Sequence, residues 1–425
     1  MKRSLLAVAL ATAAWTALVA CQRQAPDATA QGTAAPPAAA AATSAEATTP
    51  AAKAVPTDLD QLAQRVVTQS AAVKEGEIVL ITGQAHDAEL LEDLAVNVRK
   101  VGGFPLVTYG SDRLSKRMFF DVPEKYDSQA DALGARLAGL ANVVISVGNG
   151  MNENLFEGAD PKRMAAQGKV AEPVGQAFMK HNVRTVEIGN NLYPTPWRAE
   201  RYGMAEDALA KTFWNGVNLD YSELQTRGAQ VKAVLAAGNN VHVTNPNGTD
   251  LKLRVQGRPV LASDGIISAD DMKQGGAALA AYLPAGEVYV TPVAGSADGK
   301  LVSSRMYYRG QQVDNLTYTI TAGKVTAMSG SGPGYAGLKA EYDAVEDPRK
   351  DLLGYIDLGI NPNVKLPAAS VIGTWVPAGT VTIGTGGNTW AGGDNSVPYG
   401  STVFLPGSTV TLDDKTIVDN GVLKL

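Results

Sequence analysis

Residues 77–83 read Glu-Ile-Val-Leu-Ile-Thr-Gly, in which the apolar residues 78–81 are continuous and the run stops at a glycine. A short run of this kind, rich in β-branched residues, is typical of a strand buried on both faces. The segment that follows, residues 87–101, places Leu90, Leu91 and Leu94 at mostly helical spacing. The two segments together predict a strand followed by a covering helix, which is the unit of a parallel sheet.

The same alternation continues along the next hundred residues. Strand-like runs and helical patterns alternate in these segments: 104–109, 127–141, 142–147, 160–180 and 184–188. Strands that alternate with helices indicate a parallel sheet covered on both faces. We therefore predict an α/β open-sheet domain over residues 56–238, in which residues 198–238 are largely helical.

The pattern changes beyond that helical segment. Residues 241–244 and 251–255 alternate in polarity on either side of Asn245-Pro246-Asn247-Gly248, which predicts a β-hairpin. From there onward short strands and glycine turns dominate, with one helical stretch near 335–353. We predict a second domain over residues 239–425, of α+β type and rich in antiparallel strands.

Residues 1–21 have the pattern of a bacterial export signal. Two basic residues are followed by an alanine-rich apolar stretch over residues 5–20, which ends in Leu18-Val19-Ala20-Cys21. The stretch is too short and too rich in alanine for a membrane span, which needs about 20 strongly apolar residues. The last four residues resemble the lipobox of lipoproteins, which implies a lipid on Cys21. The alternative is plain secretion with cleavage after Ala20.

Residues 22–55 are dominated by Ala, Pro and Thr and offer no apolar face. Nothing would offset their ordering entropy, so we predict a disordered linker, which as a flexible coil spans roughly 30 Å. Gln22 after the cysteine, in place of an Asp, favours the outer membrane, with the body facing the periplasm or the cell surface. Cys21 is the single cysteine of the chain, which excludes disulfides within it.

Composition and missing motifs exclude several classes of function. The net charge of −5 gives no basic patch, so nucleic acid is not an expected partner. HExxH, GxSxG and GxxxxGK[ST] signatures are all absent. The histidines His86, His181 and His242 fall in different predicted elements, and we expect surface or strand roles for them. A Ser-His-Asp triad remains as an alternative, although no serine lies in a strained elbow.

Four short segments of the second domain carry a combined pattern. Residues 247–251, Asn-Gly-Thr-Asp-Leu, match a GTDL hairpin, and residues 284–289, Pro-Ala-Gly-Glu-Val-Tyr, match a PxGE[VI][FY] strand. Residues 357–362 are similar to an ELGIGxNP segment and residues 379–384 to GTVHIALG. In this order, within residues 56–425, they resemble the thermophilic-type metallo-aminopeptidase family, which includes aminopeptidases T and S. The resemblance implies an aminopeptidase T-like fold.

The resemblance also implies a two-metal site in the second domain, with two glutamates, a histidine and a His-x-Asp pair as ligands. The first glutamate corresponds to Glu287 and the second to Asp357. The histidine corresponds to Thr382, and the His-x-Asp pair should lie within residues 401–406, which contain neither residue type. Two carboxylates without imidazole make a poor zinc site. With waters, carbonyls and an oxygen from the loop 392–395, they would suit calcium, magnesium or manganese better.

These losses decide the expected function. We expect a non-catalytic envelope lipoprotein whose cleft binds a peptide, a wall fragment or a partner protein, without a bound cofactor. The alternative is an active metal-dependent aminopeptidase with a rebuilt site around Glu287 and Asp357, using zinc, manganese, magnesium or calcium. The alternative for Glu287 is a solvated strand carboxylate or a salt-bridge partner, and for Asp357 it is a turn or helix-terminus residue ahead of Gly359. A structural or assembly role at the envelope is a third possible function. The resemblance further implies a homodimer.

Overall fold

The structure is a computed structural model that describes residues 57–370 and 372–425. The predicted signal peptide, Cys21 and the predicted linker lie outside the described residues. None of the helices in the described ranges is long and apolar enough to span a bilayer. The α-helices are α1 Leu59–Arg65, α2 Ala88–Lys100, α3 Asp112–Phe120, α4 Ala132–Ala138, α5 Pro161–Lys180, α6 Pro196–Tyr202, α7 Glu206–Val217, α8 Tyr221–Ala237, α9 Ala269–Gln274 and α10 Tyr335–Ala344.

The described strands form three sheets. They are β1 Ile78–Gln84, β2 Phe104–Gly110, β3 Val143–Val147, β4 Arg184–Ile188, β5 Asn240–Asn245, β6 Thr249–Arg254, β7 Val260–Ser263, β8 Ala280–Leu283, β9 Glu287–Val290, β10 Asp298–Tyr308, β11 Gln311–Thr321, β12 Lys324–Ser331, β13 Leu353–Gly359, β14 Val381–Gly386, β15 Gly400–Leu405, β16 Thr409–Leu412, β17 Lys415–Asp419 and β18 Val422–Leu423.

The first sheet is parallel, in the order β2-β1-β3-β4-β8. Its apolar runs are buried on both faces. Val79 and Ile81 of β1 join the large core, while Leu80, which points to the opposite face, joins a separate cluster with Val144 and Val183. Helices cover the sheet as the sequence predicts, and the α/β open-sheet architecture is confirmed. The last strand of the sheet, β8, comes from beyond residue 239.

Capping side chains in the sequence mark where several of the helices begin. Where a helix begins, a short polar side chain often accepts a hydrogen bond from one of the otherwise unpaired backbone N–H groups of the first turn. The residues that cap helices in this way are Asp58, Ser111, Asp131, Asp160, Thr195, Asp220 and Ser268. Residues 198–238, predicted to be helical, contain most of α6 and all of α7 and α8.

The other two sheets are antiparallel, as the strand-rich second domain predicts. One has eight strands, in the order β12-β11-β10-β6-β5-β16-β17-β18, and the other has five, in the order β15-β14-β13-β9-β7. The predicted hairpin is confirmed as β5 and β6, with Val243 opposite Leu251. We call these two sheets the eight-stranded sheet and the site sheet, since the latter carries both predicted metal ligands.

The helix predicted near 335–353 is wrong in its second half. Helix α10 ends at Ala344, a 3-10 turn spans Pro348–Asp351, and β13 starts at Leu353. Pro348 disfavours helical backbone at Asp347 before it, and the Asp347 side chain instead caps the short turn. The C-terminal part of the predicted helix is therefore a turn, which leads into β13 of the site sheet.

The chain passes directly from the parallel sheet into the site sheet. Between β8 and β9 lie only three residues, Pro284-Ala285-Gly286. Gly286 has φ of +124°, and a Cβ atom there would lie 2.6 Å from the Cβ of Asn361, so a larger residue would not fit. This tight connection fixes the position of Glu287, the first residue of β9.

Gly359 tests the packing around β13. It lies opposite Glu287, and a Cβ atom added there would lie 2.3 Å from the carbonyl oxygen of Pro377. We expect Gly359→Ala to destabilise the protein by about 2 kcal/mol, because a methyl group forced against backbone displaces it. The measurement is the thermal unfolding midpoint.

Gly139→Ala is the matched control for that substitution. Gly139 ends α4 with φ of −81°, and an added Cβ atom would lie 3.4 Å from the carbonyl oxygen of Arg136. We expect a change within about 0.5 kcal/mol. Equal midpoints for the two variants would contradict the close packing at Gly359.

Candidate functional site

Glu287 and Asp357 lie on one face of the site sheet. In the antiparallel pair of β9 and β13, Glu287 is opposite Gly359 and Asp357 is opposite Tyr289. Residues directly opposite each other, and residues two apart on a strand, share a face, so the two carboxylates are diagonal neighbours. Both residues are fully buried. The structure thus brings together the two residues that the sequence assigned as metal ligands.

The neighbouring strands continue this row across the sheet. Asp357 is opposite Thr382 of β14, and Thr382 is in turn opposite Phe404 of β15. Thr382 stands where the resemblance places a histidine, and Phe404 falls within the segment expected to carry the His-x-Asp pair. The Thr382 hydroxyl is buried and has no hydrogen-bond partner in the described part of the chain. Neither side chain supplies the nitrogen or carboxylate that a metal pair would need at these positions.

Aromatic rings cover the same face. The Trp390 ring centroid lies 5.0 Å from that of Tyr289 and 4.6 Å from that of Tyr355, and the Trp375 centroid lies 5.1 Å from that of Phe404. Trp375 is 2% exposed and Trp390 is 7% exposed. We call these five residues the aromatic cluster. Their rings pack over the row that contains Asp357, where a metal pair and its waters would require open, polar space.

Glu287 is held by an amide on the other sheet. Asn190, which follows β4 in the parallel sheet, donates its Nδ2 to the Oε1 of Glu287 at 2.6 Å and to the carbonyl of Pro284 at 2.9 Å. Asn190 adopts φ of +42°, a conformation that Asn tolerates better than most residues. The glutamate therefore anchors the connection between the two sheets through a buried hydrogen bond.

The donor set does not fit the metal pair that the resemblance implies. Among residues 57–370 and 372–425, no group of three or more His, Cys, Asp or Glu side chains is arranged to hold a metal ion. His242 bonds Asp250 at 2.7 Å on the hairpin, and His86 and His181 are exposed, as expected for surface or strand residues.

The loop 392–395 does not complete the set either. Asn395 donates its Nδ2 to the carbonyls of Arg349 and Gly386 and accepts from the N–H of Val397, and Asp394 is exposed. The side chain of Asn395 is therefore engaged with backbone groups. Among the described residues, Asp394 joins Glu287 and Asp357 in no group that could hold a metal ion.

A second polar cluster was missed by the sequence reasoning. At the carboxyl ends of β1 and β3, the buried Asp87 accepts hydrogen bonds from the amide of Asn149 and from the Tyr193 hydroxyl. Burial raises the pKa of Asp87, against the opposing effects of His86, Tyr193 and Asn149. The carboxyl ends of neighbouring parallel strands lie at the same edge of the sheet. Polar residues directly after β1 and β3 were therefore the sequence signal that could have predicted this cluster.

A pocket lies beside Trp390, away from the two carboxylates. Helix α5, strands β4 and β8 and the segment 387–398 form its walls, and its volume is about 140 Å³. Neither Glu287 nor Asp357 lines it. We call it the Trp390 pocket, since this ring contributes both to the pocket wall and to the aromatic cluster.

One carboxyl group near the site has a strongly shifted pKa. Asp264 directly follows Ser263, which is opposite Glu287 in the site sheet. The pKa of Asp264 is raised to about 6, mainly by burial and in smaller part by the nearby charge of Asp271, while the backbone N–H of Ile266 and the charge of Lys232 oppose the shift. This carboxyl group is therefore partly protonated in the folded protein at mildly acidic pH.

Comparisons with known proteins identify relatives at the level of family and fold. The profile of the family described as "Thermophilic metalloprotease (M29)" matches residues 56–340. AmpT from Thermus thermophilus is similar in structure, with a TM-score of 0.62 and 17% sequence identity, over 86% of this chain and 99% of that chain. No curated protein sequence matches.

A 2,5-dihydroxypyridine dioxygenase from Pseudomonas putida KT2440 is also similar in structure. Its TM-score is 0.53 at 16% identity, over 86% of this chain and 96% of that chain. Likenesses at these identities establish the fold alone. The fold thus occurs in proteins named for different reactions, so the chemistry must be argued from the residues of the site.

The raised pKa of Asp264 predicts how the stability of the protein depends on pH. The folded-state pKa of Asp264 lies above its unfolded value, near 3.9, so protonation stabilises the fold below pH 4 and this contribution is lost as the pH rises through 6. Relative to Asp264→Asn, which cannot ionise, the free energy of unfolding of the unmodified protein should fall by about 2 kcal/mol between pH 4 and pH 7.

The measurement is urea unfolding across that pH range. Asp394→Asn, at an exposed carboxylate, is the control and should show the same pH dependence as the unmodified protein. Parallel curves for the unmodified protein and Asp264→Asn would contradict the shift.

Proposed function

Because this chain belongs to the thermophilic metalloprotease family (M29), we propose that it is a non-catalytic member that uses the family fold to bind a peptide or another envelope ligand. The family is one of metallo-aminopeptidases, and the fold is that of AmpT. What separates this chain from a metal-dependent enzyme is the composition of the site-sheet face.

The aromatic cluster is the observation that carries this proposal. A catalytic zinc site offers at least three nitrogen, sulfur or carboxylate ligands and one open position for water. Here the row beside Asp357 continues with Thr382 and Phe404, and Trp375 and Trp390 pack over it. The site lacks metal-binding side chains, and aromatic rings fill the space that the metals and their waters would need. Either feature alone would prevent the metal pair from binding.

A second candidate is an active aminopeptidase with a rebuilt carboxylate site. The retention of Glu287 and Asp357, fully buried on one face, favours it. Burying two acidic side chains is costly unless something compensates them. For Glu287 the structure provides that compensation without a metal, through Asn190, so we place this candidate second.

We also propose that the protein is an outer-membrane lipoprotein. The pattern of residues 1–21 supports lipidation of Cys21, and the composition of residues 22–55 supports a tether. A body held this way would meet its ligands close to the membrane, in the periplasm or at the cell surface. A homodimer, implied by the family resemblance, is part of the same proposal.

Peptidase activity tests the absence of catalysis. The full chain should release no p-nitroaniline from leucine p-nitroanilide above the buffer rate, with zinc, manganese, magnesium or cobalt supplied in turn, because the site lacks ligands to hold a metal pair. The readout is absorbance over time.

Two variants test whether any peptidase activity that does appear depends on the Glu287 carboxylate. Glu287→Ala removes one retained carboxylate, whereas Glu346→Ala removes an exposed one. Metal-dependent activity that survives Glu346→Ala and disappears in Glu287→Ala would establish the second candidate and overturn the first.

Lipidation is tested by phase separation in a detergent. The unmodified protein should enter the detergent phase, since acyl chains contribute about 0.8 kcal/mol per buried CH₂ group to the transfer. Cys21→Ser should move the protein to the aqueous phase, whereas Thr33→Ser, in the predicted linker, should leave it in the detergent phase. Equal partition of the three proteins would contradict lipidation at Cys21.

A further inference from the structure

The Trp390 pocket is predominantly apolar. Small residues of α5 and of the segment before β8 form part of its wall, including Ala171, Gly175 and Ala277. Its larger apolar side chains are Phe178, Met179, Leu279, Tyr282, Trp390 and Val397. A concave apolar surface of this kind gains free energy when a ligand removes it from water.

The size of the pocket limits what can enter it. A cavity of about 150 Å³ lined by apolar side chains is large enough to bind benzene. The Trp390 pocket, at about 140 Å³, therefore accommodates one aromatic ring or one branched aliphatic group. It is too small for a long acyl chain, or for a whole dipeptide.

The charge of the pocket limits the chemistry of its ligand. Among the described residues that line it, Glu172 is the only one with a formal charge at neutral pH. Its carboxylate accepts hydrogen bonds from the Ser396 hydroxyl at 2.6 Å and from the Gln176 amide at 3.0 Å. The Nη2 of Arg349 lies 4.0 Å from the same carboxylate oxygen and offsets part of its charge, but Arg349 does not line the pocket. A ligand carboxylate would therefore meet Glu172 without a cation in the pocket wall, whereas neutral amides meet neutral polar groups in Gln176, Thr185 and Thr389.

The pocket wall is held in place before any ligand arrives. The contact between Glu172 and Ser396 joins α5 to the segment 387–398, and the side chain of Asn395 fixes the same segment to two backbone carbonyls. A preformed wall reduces the ordering cost of binding.

We propose that the Trp390 pocket binds one leucyl- or phenylalanyl-sized side chain of a peptide, whose backbone amides lie at the mouth. The inference rests on the proposed binding function and names its ligand class. Since neither Glu287 nor Asp357 lines the pocket, the bound side chain is held away from both carboxylates. This placement suits recognition without cleavage.

The test titrates N-acetyl-L-leucinamide onto the full chain in mild detergent, with saturation-transfer NMR as the readout. N-acetylglycinamide should bind at least tenfold more weakly, a difference of about 1.4 kcal/mol, because it lacks the side chain. N-acetyl-L-leucine, which carries a carboxylate, should also bind more weakly than the leucinamide.

Filling the pocket gives the structural control. Ala280 of β8 lines the pocket, so Ala280→Phe should abolish binding of the leucinamide, and Ala277→Phe serves as a second variant if the first does not fold. Ala327→Phe adds the same ring to an exposed strand position of β12 and should bind as the unmodified protein does.

Two results would overturn the inference. One is equal binding of the glycine and leucine amides, and the other is unchanged leucinamide binding in a folded pocket-filling variant. Cleavage of leucine p-nitroanilide, measured separately, would overturn the proposed function while leaving selective binding at the pocket intact. Absence of cleavage together with unselective binding would overturn the pocket inference alone.

Discussion

Two buried carboxylates under a layer of aromatic rings constrain the rest of the structure. Glu287 and Asp357 have no access to water, so the face that carries them must be covered and their oxygens satisfied from within the protein. Asn190 reaches Glu287 from the end of β4, which ties the parallel sheet to the site sheet. The three-residue connection from β8 to β9 then leaves little freedom in how the two sheets meet, and Trp390 both covers the face and walls the adjacent pocket.

Much of this architecture could be predicted from sequence. The run at residues 77–83 indicates a strand buried on both faces, and the hairpin around residues 245–248 follows from its turn residues. Glu287 and Asp357 could be paired because their segments resemble one family, and the structure places them on one face. The strand and the hairpin are each encoded by consecutive residues. The pairing of Glu287 with Asp357 is indicated by short family-like segments that occur in a fixed order.

The aromatic cluster on the site sheet could not be predicted in the same way. Trp375 and Trp390 lie outside the regular strands, so no periodicity fixes where their rings point, and their contacts with Tyr355 depend on how distant segments fold back. The missing histidines showed that a metal pair lacked ligands, but not that the space was filled. The same limit applies to the Trp390 pocket, whose walls come from three separate parts of the chain. Membership of the family is therefore compatible with loss of its chemistry, because the fold depends on strands and tight connections throughout the chain, whereas catalysis depends on a few side chains.

The metal content of the full chain, purified without chelator and dialysed, tests the central claim most directly. If the aromatic cluster has replaced the metal pair, elemental analysis should find essentially no zinc, cobalt or manganese per chain. Close to two equivalents of any of these metals per chain would contradict the account, because the described donor set could not hold them and the site would have to rearrange around Glu287 and Asp357.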